Sequence, residues 1–156
     1  MKLIKTALGL CSLAACLAHP IAGFAGGKCV GHNINNALTV ETTELANGTT
    51  LTTLRLTSVH VSEDPSSSFH LAAGECSGSL TTTPDGKTQG GGHCMRKDKD
   101  GDVYNEQWIL PPGADKGTWK LVGGTGKYAT AASSGWWQVA MSQGKISAVR
   151  WVGNCL

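Results

Sequence analysis

The sequence carries little charge and almost no excess of either sign. Only 15% of its 156 residues are charged, and 13 Lys and Arg are balanced by 11 Asp and Glu. Two of the basic residues, Lys2 and Lys5, lie in the N-terminal segment, so the rest of the chain is close to neutral. A chain without a basic excess is a poor partner for nucleic acid or anionic lipid. We therefore predict no nucleic-acid partner.

Long hydrophobic runs are also missing, apart from residues 6–18. This Leu/Ala-rich run follows the two lysines and is shorter than the roughly 20 residues that a membrane-spanning helix needs. A basic start followed by a short apolar run is typical of an export signal. We predict a signal peptide over residues 1–25, cleaved after Ala25, and no transmembrane span. The mature protein would be secreted or periplasmic.

A second interpretation of the same segment concerns its second cysteine. Residues 13–16 read Leu-Ala-Ala-Cys, which matches the lipobox of bacterial lipoproteins. Under this alternative Cys16 is lipidated and becomes the first residue of the mature chain. The protein would then be anchored by lipid to the cell envelope.

After the signal, the sequence shows no helical spacing of hydrophobic residues, no linker and no internal repeat. Segments rich in Thr, Val, Leu and Trp are instead separated by turn residues, a pattern typical of β-strands. Short antiparallel strands at this spacing fit a sandwich or a barrel, and residues 26–156 are predicted to form one domain. Hairpin turns are predicted at Asn47-Gly48, Pro84-Asp85-Gly86 and Gln143-Gly144. The predicted strands cover residues 38–45, 51–62, 69–80, 88–97, 103–110, 117–122, 128–142 and 145–152.

Four cysteines remain after the signal, an even number that predicts two disulfides in an oxidising compartment. Cys76 and Cys94 lie nine residues on either side of Asp85, the centre of a predicted turn, so they are expected to be cross-strand neighbours. Cys29 and Cys155 would then join the first strand to the last, where the ends of a closed barrel meet. A zinc site would need two close cysteine pairs, which the sequence does not have.

A glycine-dense corner, residues 123–128 with the sequence Gly-Gly-Thr-Gly-Lys-Tyr, follows Trp119 and precedes Gly135-Trp136. Gly123, Gly124 and Gly126 can bulge or turn the chain where other residues would resist. With these flanking residues, the segment from about residue 94 to 137 resembles the allene oxide cyclase and dirigent barrels and their secreted bacterial relatives. The resemblance implies a closed eight-stranded antiparallel barrel, often a trimer in plant members, with an apolar lumen for a small hydrophobic molecule. It carries over no catalytic residue.

No Ser/His/Asp or Cys/His catalytic set is apparent, so candidate site residues come from the predicted strands. If side chains alternate between lumen and outside, some polar and aromatic ones must point inward. Leu54 and Leu56 share one strand face with His60, whereas Val59 and Val61 share the other. The predicted lumen residues are His60, Tyr104, Glu106, Trp108, Trp136 and Arg150. The alternative is a surface or hydrogen-bonded structural role for the four polar residues, and packing in the core or at a subunit interface for the two tryptophans.

The turn around Gly101 carries alternate carboxylates from Asp98, Asp100 and Asp102, which is how a calcium loop begins. The twelfth position of such a loop should be Glu and is Ile109 here. A weak calcium site and a solvated acidic turn are therefore both open. No cofactor is predicted.

Together these features predict an exported barrel that holds a small hydrophobic or aromatic molecule without catalysis, or that serves as a binding module for another protein. One alternative is an isomerase or cyclase in which a buried carboxylate assists. Another is an envelope lipoprotein with a structural or interaction role. The resemblance also implies a homo-oligomer, with a trimer as the form known from plant members.

Overall fold

The computed structural model describes residues 27–156 and contains eight β-strands that close into one antiparallel barrel in chain order. The predicted signal peptide over residues 1–25 and the alternative lipidation at Cys16 lie outside the described residues. Within residues 27–156, no helix has the length and apolar character needed to span a bilayer. The strands are β1 (Lys28–Glu44), β2 (Thr50–Ser62), β3 (Ala73–Thr82), β4 (Thr88–Lys97), β5 (Val103–Leu110), β6 (Gly117–Gly124), β7 (Ser134–Gln143) and β8 (Ile146–Asn154).

The barrel closes where β1 pairs with β8, from Lys28 opposite Asn154 to Asn36 opposite Ile146. This pairing confirms the predicted all-β closed barrel. It also explains why β1 begins ten residues before the predicted start at residue 38. The early part of β1 contains three Asn residues and Gly31, which are uncommon in strands, so its composition does not indicate a strand. Its strand conformation comes from the hydrogen bonds that β2 and β8 make on either side.

Two other predicted strand starts, at Phe69 and Tyr128, were also wrong, and both residues have buried aromatic side chains. Phe69 lies in the turn that precedes β3, and Tyr128 lies in a 3-10 turn between β6 and β7. Both side chains are almost inaccessible to solvent. They fill one end of the barrel together with Tyr104, whose ring centroid is 5.1 Å from Phe69 and 4.8 Å from Tyr128. We call this the closed end, and the opposite end, which carries the β1–β2 and β7–β8 hairpins, the open end.

Both predicted disulfides are present. Cys29–Cys155 joins the start of β1 to the residue after β8 at the closed end, across a sequence separation of 126 residues. Cys76 and Cys94 are directly opposite each other on β3 and β4, and their bond lies inside the barrel. The first disulfide links the chain ends where β1 and β8 close the barrel, and the second crosslinks the β3–β4 hairpin.

Two glycines of the corner adopt positive φ angles. The β5–β6 register shifts beside Asn105, where Gly123 has φ of 145°, a conformation that favours glycine. Gly126 has φ of 50° and opens the 3-10 turn, and a Cβ there would overlap the Asp102 carboxylate. The corner therefore ends β6 and brings Tyr128 over the closed end.

Candidate functional site: the lumen cavity

The half of the barrel nearer the open end contains a cavity of about 360 Å³. It extends from the interior to Ala114 and Asp115 in the β5–β6 loop, and Asp115 is exposed at the open end. Its wall is made mainly of aliphatic and indole side chains. The aliphatic set is Leu54, Leu56, Leu80, Leu110, Val139 and Val149, and the indoles are Trp108, Trp119, Trp137 and Trp151.

Strand alternation determines which side chains reach this cavity. On β2, Leu54, Leu56 and His60 share the inward face, whereas Val59 and Val61 are each 37% exposed on the outer surface. Because side chains of a strand alternate between faces, every second residue of β2 points toward the interior, and these three line the cavity. The mixed polarity of this inner face gives the cavity aliphatic sides and a polar inner end.

The indoles pack against glycines that lie one or two strands away in the barrel. At each such glycine a Cβ would overlap the ring, so the absence of a side chain makes room for the indole. Large and small residues thus complement each other across the barrel wall. The pairs are Trp108 with Gly78 and Gly92, Trp119 with Gly153, Trp137 with Gly117, and Trp151 with Gly31.

A buried ion pair forms the inner end, or floor, of the cavity. The Arg96 guanidinium donates to Glu106 Oε2 at 3.2 Å and to Ser58 Oγ at 3.2 Å, and it lies 3.3 Å from Cys76 Sγ. Arg96 is 1% exposed and Glu106 is 5% exposed. Burial raises the pKa of Glu106, and the adjacent guanidinium limits the rise. The charges of the two side chains offset each other inside the barrel.

His60 lies beside this pair. Its Nδ1 is 2.9 Å from the Tyr104 hydroxyl, and its Nε2 is 3.9 Å from Glu106 Oε2. Burial, with a smaller contribution from the positive charge of Arg96, holds the pKa of His60 well below its usual value. The ring is therefore neutral near pH 7. Within the described residues its Nε2 has no hydrogen-bond partner.

Two asparagines of β1 complete the floor. Asn33 pairs directly with His60 across the β1–β2 ladder, and its buried Oδ1 has no partner among residues 27–156. Asn35, one step nearer the open end, donates from Nδ2 to Ser147 Oγ at 3.3 Å. Buried polar atoms without partners are costly, so Asn33 and His60 are positions at which a ligand can contribute hydrogen bonds.

The predicted lumen residues divide into three groups. His60, Glu106 and Trp108 line the cavity, and Tyr104 lies beneath it at the closed end. Trp136 and Arg150 do not line it. The Arg150 guanidinium is 5.9 Å from the Trp136 ring centroid on the outer surface, where Lys116 Nζ also lies 4.5 Å from the same ring. The neighbouring Trp137 faces the cavity instead.

Sequence reasoning missed Arg96 and Asn33 as floor residues. Arg96 is two positions after Cys94 and therefore shares its face of β4, so strand alternation could have placed Arg96 beside the Cys76–Cys94 disulfide. Asn33 gave no comparable indication, because β1 was predicted to begin after it. Its inward orientation depends on pairing with β2 and β8.

The acidic turn is linked to Lys127 of the glycine corner. Lys127 Nζ lies 2.7 Å from Asp98 and 2.5 Å from Asp100, and the Tyr128 hydroxyl is 3.0 Å from Asp98 Oδ2. Burial acts to raise the pKa of Asp98, but the hydrogen bonds from Lys127 and Tyr128 hold it below its usual value. Among residues 27–156 no group of three His, Cys, Asp or Glu side chains is arranged to hold a metal ion. The calcium site at Asp98, Asp100 and Asp102 stays a prediction, and Lys127 would have to leave before a cation could enter.

Comparisons with known proteins are limited to the fold. No protein-family model matches the chain. A search of curated proteins also found no match. The structure is similar to that of a pterocarpan synthase dirigent protein, with a TM-score of 0.48 and 13% sequence identity over 81% of this chain and 83% of the other. The closed barrel implied by the sequence is confirmed by the topology described above, and membership of the allene oxide cyclase and dirigent group stays a prediction.

Proposed function

We propose that this protein is an exported barrel that binds a small, uncharged hydrophobic or aromatic molecule in its lumen without transforming it. The observation that carries the proposal is the cavity of about 360 Å³ with aliphatic and indole walls. Small-molecule sites are typically concave, mostly apolar and about 300–1,000 Å³ in volume, with a few polar groups that fix orientation. The cavity has these properties.

The floor supports an uncharged ligand. The charges of Arg96 and Glu106 offset each other at 3.2 Å, and the depressed pKa of His60 keeps its ring neutral. A ligand carboxylate or ammonium would therefore lose its hydration without gaining a free counter-charge. A single polar group directed at His60 and Asn33 would instead meet atoms that have no partner among the described residues.

Tryptophan fluorescence tests the proposal, because four indoles line the cavity. We expect saturable changes in emission when the protein is titrated with naphthalene-type probes, and retention of a bound molecule in native mass spectrometry. Leu56→Trp fills the cavity and should weaken binding at least tenfold. The matched control is Thr57→Trp, which adds the same ring at the next residue of β2, where the side chain is exposed on the outer face of the barrel. This variant should bind the probe normally. Equal binding by both variants, or none by the wild type, would refute the proposal.

An isomerase or cyclase is the second candidate, and the buried Glu106 carboxyl favours it. A carboxyl whose pKa is raised by burial can act as a general acid or base. Its bond to Arg96 supports a structural role instead, since that contact stabilises the ionised form. Glu106→Gln separates the two candidates: conversion of a bound epoxide or enone that is lost in this variant, with binding retained, would establish catalysis.

Export and assembly are parts of the same proposal. Intact-mass measurement of the mature protein should give a chain that begins after Ala25, whereas a lipid adduct on Cys16 would establish the envelope-anchored alternative. We also propose a homo-oligomer, with a trimer as the form that the family resemblance implies. Sedimentation velocity measures this directly.

A further inference from the structure

Strand β1 extends beyond its neighbour on one side. Its pairing with β8 ends at Asn36 opposite Ile146, and the last contact on that side is the Ala37 N–H donating to the Lys145 carbonyl at 2.8 Å. From Thr39 to Glu44 it pairs with β2 alone. We call residues 39–44 the edge segment. Within the described part of the chain no strand pairs with its second edge.

The turn beyond the edge segment identifies which backbone groups are unpaired. Leu45 N–H donates to the Thr49 carbonyl at 2.8 Å, so Leu45 faces β2. Because N–H and C=O groups alternate in direction along a strand, Glu44, Thr42 and Val40 direct theirs toward the free edge. Such an edge is a template for another strand.

Four exposed apolar side chains lie near the edge segment. Leu38, Val40, Met141 and Ile146 lie on β1 and on the β7–β8 hairpin beside it, and each is between 43% and 58% exposed. The unpaired backbone and this apolar surface thus occur at the same place. An added strand would pair with the edge segment on the side of β1 that pairs with β8 earlier in the strand. It would lie just beyond the β7–β8 hairpin and would cover part of this apolar surface.

The charge of the edge segment favours one kind of partner. Its only charged residues are Glu41 and Glu44. In self-pairing with Thr42 opposite Thr42, the two copies of Glu41 would be diagonal neighbours, and in the next allowed register, with Val40 opposite Thr42, they would lie directly opposite each other. Like charges in these positions destabilise cross-strand pairs, whereas Lys or Arg opposite Glu stabilises them. The edge therefore selects against a second copy of itself.

We propose that the edge segment binds an extended segment of another protein by strand addition, and that this segment carries Lys or Arg residues three positions apart, opposite Glu41 and Glu44. The backbone groups of Val40, Thr42 and Glu44 supply the hydrogen bonds, and the two carboxylates supply the charge preference. This site is separate from the lumen cavity, so it does not depend on ligand binding there.

A fluorescent eight-residue peptide of Thr and Val with two Lys residues three positions apart is the probe, and anisotropy is the readout. We expect saturable binding that weakens with added salt. The same peptide with Glu in place of Lys should bind at least about fivefold more weakly. Thr42→Pro removes an edge N–H without interrupting the β1–β2 ladder and should abolish binding. Its control, Thr42→Val, also loses the 3.1 Å contact with the Thr52 hydroxyl but keeps the N–H.

A second variant keeps the test decisive if Thr42→Pro does not fold. Glu41→Lys combined with Glu44→Lys should reverse the preference, so that the Glu peptide binds more tightly than the Lys peptide. Equal binding of both peptides by the wild type, or unchanged preference in the reversed variant, would overturn the proposal. A dimer that Thr42→Pro dissociates would also overturn it, because the occupant would then be a second copy.

Discussion

Replacement of Arg96 by Met would remove the cation from the buried pair at the cavity floor. The Glu106 carboxylate would keep its buried position and lose its charged partner and a 3.2 Å hydrogen bond. Breaking a buried pair from one side costs about 3–5 kcal/mol, because the remaining charge is neither hydrated nor paired. A domain of this size is stable by roughly 5–15 kcal/mol, so we expect a loss of about 10–20 °C in melting temperature.

The loss should depend on pH with a definite sign. Burial already raises the pKa of Glu106 in the native protein, and removing Arg96 raises it further. Above the usual value of 4.5 the unfolded chain releases this proton while the folded variant retains it. Stability of the variant therefore falls as pH rises, and the difference from the wild type should be larger at pH 8 than at pH 5.

Urea denaturation followed by tryptophan fluorescence provides the assay, and an exposed pair of the same type provides the control. Arg55 and Glu75 are 2.9 Å apart, with side chains 60% and 55% exposed, so Arg55→Met should cost at most about 1 kcal/mol. The double variant Arg96→Met with Glu106→Leu should regain most of the lost stability, since neither charge remains. The reasoning is refuted if Arg96→Met costs no more than Arg55→Met, or if the double variant is no more stable than the single one.

Three further predictions concern stability. The free energy of unfolding of the native protein should fall by up to about 1.4 kcal/mol per pH unit below pH 6.5, because the unfolded chain protonates His60 and the folded chain does not. His60→Gln should reduce this pH dependence, which melting experiments at pH 5 and pH 7.5 would measure. Replacing both Cys29 and Cys155 by Ala should cost about 4–5 kcal/mol in the loop-entropy model, given their separation of 126 residues, and a urea midpoint equal to that of the wild type would contradict it. Tyr128→Phe should cost about 1–3 kcal/mol because the buried carboxylate of Asp98 loses a donor, and an unchanged melting temperature would show that this contact contributes nothing.

Much of the barrel could be predicted because the relevant patterns are local. Hairpin turns need particular residues within two or three positions, and Gly48, Gly86 and Gly144 all adopt the positive φ that such turns require. The pairing of Cys76 with Cys94 followed from their symmetry about one such turn. Spacing of this kind leaves few alternatives for that pair, and Cys29 with Cys155 then remained as the second disulfide.

The candidate site was predictable only in part, because face assignment depends on long-range register. Adjacent Trp136 and Trp137 must face opposite sides of β7, but the sequence does not say which faces inward. Pairing with β6 decides it, since Gly117 lies opposite Trp137 and leaves room for its ring inside the barrel. Register shifts in β1, β5–β6 and β7 also change the alternation, and they cannot be located from composition.

The amino-acid sequence by itself determined the all-β class, the hairpins and the Cys76–Cys94 disulfide, since turn chemistry and spacing act over short distances along the chain. Cys29 and Cys155, 126 residues apart, followed as the remaining pair. Only the tertiary structure decided that Arg96 and Glu106 would meet as a buried pair beneath an open cavity, that the first ten residues of β1 would be a strand, and that its last residues would have a free edge. These features arise from contacts between strands far apart in sequence, where the conformation of each strand depends on its neighbours.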